Sequence, residues 1–150
     1  MLRAQRRKQF IDVSRGDQLV TSFNFEKRSP FFLDGQEYSA RATSVLGLSF
    51  SLYRGDEALV VEKTTSILTD AQQIEHGGRT WLMKPAHYFA RTFKVLSDGG
   101  TTLGAIAPAK YFFPLSDITV DLPDDVPVLV QVFMLWLAVK SWTTDTGGGT

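Results

Sequence analysis

The segment Val126 to Trp142, VPVLVQVFMLWLAVKSW, constrains this chain more than any other, because a helix carrying it has no face to offer water. Successive helical residues are turned about 100° apart, so Val128, Leu129, Val132, Phe133, Leu135, Trp136 and Val139 point in every direction and only Gln131 interrupts them. A helix apolar on all sides is buried on all sides. The competing solution is a membrane span. The apolar run from Val126 to Val139, however, is 14 residues and contains Pro127 and Gln131, against the roughly 20 apolar residues that spanning requires. The buried helix is the preferred reading, with Asp124 and Asp125 placed to cap its start, Pro127 in its first turn and Lys140 suited to its other end.

What surrounds such a helix is written in the rest of the chain. Short alternating runs closed by glycine or acidic turns recur at hairpin spacing. Leu19 to Phe25, Tyr38 to Ala42, Leu48 to Tyr53, Leu59 to Lys63, Thr80 to Lys84, Tyr88 to Leu96, Thr101 to Ala107 and Asp117 to Leu122 read as strands. Turns are expected at Ser14 to Asp17, Arg54 to Asp56, Glu75 to Arg79 and Ser97 to Gly100. A sheet with one apolar face must cover it. Curling the strands around the C-terminal helix covers both at once, so the expected fold is mainly β: an antiparallel β-barrel or strongly curled meander enclosing one hydrophobic C-terminal α-helix. Residues 1–18 read as a basic N-terminal arm, with a short helix or frayed segment over Leu2 to Val13; 19–142 form the barrel with its helix at 126–142, and 143–150 a disordered tail.

The succession Trp81-Leu82-Met83 then Pro85, Phe93-Lys94-Val95, Asp98-Gly99-Gly100, Leu103-Gly104-Ala105-Ile106, and Ile118-Thr119-Val120-Asp121-Leu122-Pro123-Asp124-Asp125 before a hydrophobic helix resembles the tubby C-terminal-like superfamily, which includes phospholipid scramblase-like and LURP-one-related proteins. The resemblance runs from about Tyr38 to Trp142. It implies a β-barrel around one hydrophobic C-terminal helix, and relatives that bind phosphoinositides or associate with membranes. No ligand motif of the family carries over residue by residue.

Several chemistries are disfavoured by the residues present. There is no cysteine, hence no disulfide framework, thiolate nucleophile or cysteine zinc site, and a reducing, cytoplasmic setting with peripheral membrane association is the expected location. The start of the chain carries no apolar signal segment. Phosphate-loop, dinucleotide and nucleophile-elbow motifs are missing, so no cofactor is expected and an enzyme is the less favoured class. His76 and His87 would need carboxylates such as Asp70, Glu75 and Asp98 to converge before they made a metal site. With 16 basic against 16 acidic residues, nothing points to nucleic acid.

The remaining candidates are basic. Arg79, Lys84, Arg91, Lys94 and Lys110 lie in or beside consecutive expected strands and form the candidate anionic head-group site. Arg3, Arg6, Arg7 and Lys8 form a second cluster for membrane contact, and Trp81, Tyr88, Tyr111 and Phe112 are candidates for a bilayer interface. A solvated barrel exterior accounts for the same charges. Three functions stay open: a non-enzymatic barrel associating with membranes or anionic lipid; a structural or protein-interaction module using Phe31, Phe32, Phe112 and Phe113 against a protein partner; and a carrier or enzyme for a small hydrophobic ligand.

Overall fold

The computed structural model describes residues 1–43, 49–66, 71–87, 90–110 and 113–146. Twelve antiparallel strands form a nearly closed barrel around one helix. They are β1 (Leu2–Arg7), β2 (Phe10–Arg15), β3 (Gln18–Asn24), β4 (Phe31–Leu33), β5 (Gln36–Ala42), β6 (Phe50–Arg54), β7 (Glu57–Ser66), β8 (Ala71–His76), β9 (Arg79–Pro85), β10 (Phe93–Ser97), β11 (Thr102–Pro108) and β12 (Ile118–Asp121), followed by α1 (Val128–Thr146). Every strand except β3 pairs with its successor in sequence, and β12 pairs with β1 through Leu2 opposite Val120 and Ala4 opposite Ile118. The ring has one seam, between β3 and β4. There the Thr21 hydroxyl donates to the Phe32 carbonyl, and the Phe23 and Phe31 rings lie 6.4 Å apart. A ladder is thus replaced at the seam by one hydrogen bond and a ring contact, which still covers the sheet edges.

The helix occupies the interior. Val130 through Val139 are all buried, Trp136 being the most exposed at 8%. Inward strand residues, among them Leu2, Ile11, Leu52, Ile74, Met83, Val95, Ile106 and Val120, close around it. The Phe133 and Trp136 rings stack at 6.2 Å, and Trp136 meets the edge of Phe50 at 5.3 Å. Gln131, the polar interruption, donates from Nε2 to the Val126 carbonyl at 2.9 Å, so its buried amide is partnered.

Several expectations need correction. The basic arm over residues 1–18 is built into the barrel wall as β1 and β2, with Leu2, Ala4, Ile11 and Val13 fully buried. A period of two was present, but the cations on the alternate positions disguised it. The helix starts at Val128, where the Pro127 carbonyl accepts the Gln131 N–H, so Asp124 and Asp125 precede the first turn. It also runs past Lys140 to Thr146. Thr143 returns its hydroxyl to the Val139 carbonyl at 2.9 Å, which lets a polar residue continue the helix. Glu75 and His76 belong to β8, and the turn is Gly77-Gly78, with φ of 57° and 78°. Both central positions of this two-residue hairpin need positive φ, which glycine adopts without steric cost.

Candidate functional site

In a meander, connections fall alternately at the two ends of the barrel. One end carries the tight turns 16–17, 34–35, 55–56, 77–78 and 98–101. The other carries the turn 8–9, the 25–30 connection and the joins from β5 to β6, β7 to β8, β9 to β10 and β11 to β12. Long loops on a rigid scaffold are where binding residues concentrate. The helix enters at the tight-turn end and points its C-terminus at the loop-bearing mouth. Two contacts fix this direction: Arg79 meets Asp125 at one end, and the Trp142 Nε1–H donates to the Arg91 carbonyl at the other.

Charge follows the same division. Asp17, Asp34, Asp56, Glu57, Asp98, Asp121, Asp124 and Asp125 sit at or beside the tight-turn end. Arg6, Lys8, Lys27, Arg28, Arg91, Lys110 and Lys140 gather at the loop-bearing mouth, outnumbering Glu26 and Asp117 there, while Arg15, Arg54 and Arg79 are outnumbered at the other end. A chain of zero net charge is therefore folded into a dipolar barrel.

Aromatic rings seat cations at both ends, Arg41 over Tyr53 and Arg79 over Trp81 among them, and Arg7 near the mouth pairs with Asp12. At the acidic end Arg41 pairs with Asp56, Arg54 with Glu57 and Arg79 with Asp125. At the basic mouth Arg6 lies over the Phe25 ring at 5.2 Å, Arg28 over Phe50 at 5.1 Å and Lys140 over the same Phe50 at 4.6 Å. Among the described residues neither Arg6 nor Arg28 forms an ion pair. An aromatic face orients a cation without cancelling its charge, so Arg6 and Arg28 keep their charge for an external anion.

Lys140, with Arg28 beside it, faces a buried carboxylate. Glu62 is 1% exposed on the inner face of β7, where it accepts the Phe50 N–H at 2.7 Å and the Thr64 hydroxyl at 3.3 Å. Burial pushes its carboxyl above the ordinary range, and those hydrogen bonds and Lys140 only partly oppose this. The Lys140 ammonium is held below its ordinary value, first by burial and then by Arg28, with Glu62 opposing. In front of this group a pocket of about 190 Å³ opens between Phe23 to Arg28 and the helix residues Trp136, Val139, Lys140 and Thr143. A second, of about 400 Å³, lies across Thr143, against Arg6, Phe113 to Ser116 and Trp142.

The five basic residues singled out from the sequence do not form one cluster. Lys84 and Lys94 are directly opposite on β9 and β10, on the outer face of the wall. Arg91 and Lys110 lie at the basic mouth, while Arg79 is at the other end, bonded to the Asp125 carbonyl at 2.7 Å and stacked on Trp81. A helical rise of 1.5 Å per residue separates those ends by roughly 25 Å. Of the N-terminal cluster, Arg3 is on the wall opposite Ser14 and Thr119. Arg7 is tied to Asp12 at 2.8 Å, and Arg6 and Lys8 reach the mouth. Trp81, expected at an interface, is a core residue at 1% exposure, and Phe31 is likewise buried. Phe32 and Phe113 are exposed, at 57% and 68%. Tyr88, Tyr111 and Phe112 lie outside the described residues.

His76 donates through its Nδ1–H to the Leu59 carbonyl at 2.7 Å, and among the described residues no group of three or more metal-ligating side chains occurs. None of the described helices is long and apolar enough to cross a membrane. No protein-family model, curated protein or solved structure matches the chain.

Sequence reasoning missed Arg28, Lys140 and Glu62. Arg28 sits in an irregular connection and Lys140 reads as a helix-end charge. Glu62 shares a face with Val60, and that alternation was the available signal.

Proposed function

We propose that this chain is a non-enzymatic, tubby-like barrel domain that docks its basic mouth on an anionic phospholipid surface. The observation that carries the reading is the segregation of charge: cations held on aromatic rings at the mouth with the long connections, acids at the mouth with the tight turns. Each cation near an anionic leaflet contributes about 1 kcal/mol. Arg6, Lys8, Lys27, Arg28 and Lys110 together give on the order of 5 kcal/mol at low salt, enough for sub-millimolar partitioning. The exposed Phe113 ring at the same mouth is suited to the head-group region. An antiparallel barrel around one apolar C-terminal helix is the arrangement that the tubby-like resemblance implies, and supports that reading.

The outward lysine pair adds to this. Like charges directly opposite on neighbouring strands destabilise a sheet, so Lys84 beside Lys94 costs stability unless an anion lies nearby. The test is sedimentation with phosphatidylserine-containing and with neutral vesicles at low and high salt. Binding confined to anionic vesicles, weakened by salt and lost on Lys27→Glu with Lys110→Glu, is expected. Equal binding to neutral vesicles, or binding indifferent to those reversals, overturns the reading.

A further inference from the structure

We propose that the 190 Å³ pocket between the 24–28 segment and the last turns of the helix binds a small organic monocarboxylate with an apolar body, its charge held by Arg28 and Lys140. The site does not require a membrane, and its occupant is a free acid from solution.

The walls define the body of the ligand. Phe23, Phe25, Trp136 and Val139 line the pocket with rings and methyl groups, and such surface favours an apolar occupant over a sugar or a bare inorganic ion. A water molecule takes about 30 Å³, so the space equals about six waters, the bulk of a butanoate-sized to benzoate-sized acid. Drug-sized ligands need more room, from about 300 Å³.

The charges define the head. Arg28 and Lys140 both line the pocket and lie at 5.1 Å and 4.6 Å from one ring, Phe50, near enough for Arg28 to disfavour the charge on Lys140. An anion in the pocket offsets that repulsion. Lys27 and Glu26 also line the pocket, and Glu62 lies behind Phe50, hydrogen-bonded to its N–H. Among the described residues of the lining, Lys27, Arg28 and Lys140 outnumber Glu26, which suits an anionic head, while the apolar walls disfavour a bare phosphate. A hydrogen bond to a charged partner contributes about 1.5–3 kcal/mol, so losing the guanidinium weakens binding by about tenfold or more.

Calorimetric titration of the whole chain with hexanoate and benzoate, beside hexanol, benzyl alcohol and inorganic phosphate, tests this. The acids are expected to bind at least about tenfold more tightly than the matching alcohols and than phosphate. Arg28→Met, a change at an exposed side chain that leaves the core intact, is expected to weaken acid binding about tenfold, while Arg15→Gln at the opposite end of the barrel leaves it unchanged. Lys140→Met, if it folds, acts as Arg28→Met does. Alcohols or phosphate binding as tightly as the acids, no acid binding up to about 10 mM, or an Arg28→Met protein with undiminished affinity overturns the assignment. Vesicle sedimentation on the same samples separates the two readings: loss of vesicle binding leaves acid binding intact, and failure of acid binding leaves the electrostatic docking intact.

Discussion

Truncating four consecutive residues of the central helix provides a strong test of its enclosure. Val132, Phe133, Met134 and Leu135 are each 0% exposed, and at about 100° per residue they sweep roughly 300° of the helix circumference. On an amphipathic helix at least one of four such neighbours faces water, and its truncation to alanine costs almost nothing. Inside a barrel all four must be costly. Val132→Ala removes two methyl groups at about 0.8 kcal/mol each and leaves a small void, for roughly 1–3 kcal/mol. Met134→Ala and Leu135→Ala fall at about 2–5 kcal/mol, and Phe133→Ala at about 3–5 kcal/mol. Phe133 also gives up its stack on Trp136, worth about another 1 kcal/mol. Urea titration reads each change as a shift in midpoint at constant slope. A domain of ordinary stability, about 5–15 kcal/mol, leaves most of these variants measurable, with Phe133→Leu as the milder replacement if Phe133→Ala does not fold. Any one of the four costing less than about 0.5 kcal/mol, in a 3.6-residue rhythm with its neighbours, refutes enclosure on all faces.

Other consequences are separable from that one. Lys94→Glu turns a like-charge cross-strand pair with Lys84 into an opposite-charge pair, so it is expected to raise stability by roughly 0.5–1 kcal/mol in urea while lowering affinity for anionic vesicles; a parallel change in both contradicts the proposed role of the pair. Gly104→Ala would drive a methyl group into the Asp121 carbonyl of the neighbouring strand, which has no flexible side chain to yield. A loss of at least about 2 kcal/mol is expected, and a thermal midpoint equal to that of the parent sinks the packing argument. Glu62 has a raised pKa in the folded barrel, so the folded state holds its proton more tightly than the unfolded chain. Stability therefore falls as pH rises from the unfolded glutamate value through the folded one. Glu62→Gln is expected to remove that decline, with Lys140 the facing cation in both proteins; an identical slope in the variant assigns it elsewhere. Asp12, held low by the Arg7 hydrogen bond, acts in the opposite sense and at lower pH.

The barrel was legible because its two signals are independent. An all-apolar helix demands a container, and alternation closed by glycine turns supplies one; Trp81 with Met83 and Phe93 with Val95 point inward as their spacing implies. The first two strands were harder to see, since Arg3, Gln5, Arg6 and Arg7 outweigh Leu2 and Ala4 in any reading by composition. The candidate site was legible only in kind. That cations matter follows from their number, but their gathering at one mouth depends on strand parity, which must be known for the whole meander. Leu2 to Phe10 alone shifts two strands. Arg28 and Lys140, 112 positions apart in sequence, meet on Phe50 only because the helix returns through the barrel to the end where the 25–30 connection lies. A buried glutamate is a similar case, since a charged residue reads as outward until its register is known.

Which end of the barrel meets an anionic surface is the most direct test of the account. The chain has no cysteine, so Phe113→Cys at the basic mouth and Asp98→Cys at the tight-turn end each give one attachment point for an environment-sensitive fluorophore. On addition of phosphatidylserine-containing vesicles at low salt, the probe at 113 is expected to shift to the blue and be quenched by brominated lipid, and the probe at 98 to remain as in water. A response at 98, or equal responses at both ends, contradicts docking through the basic mouth.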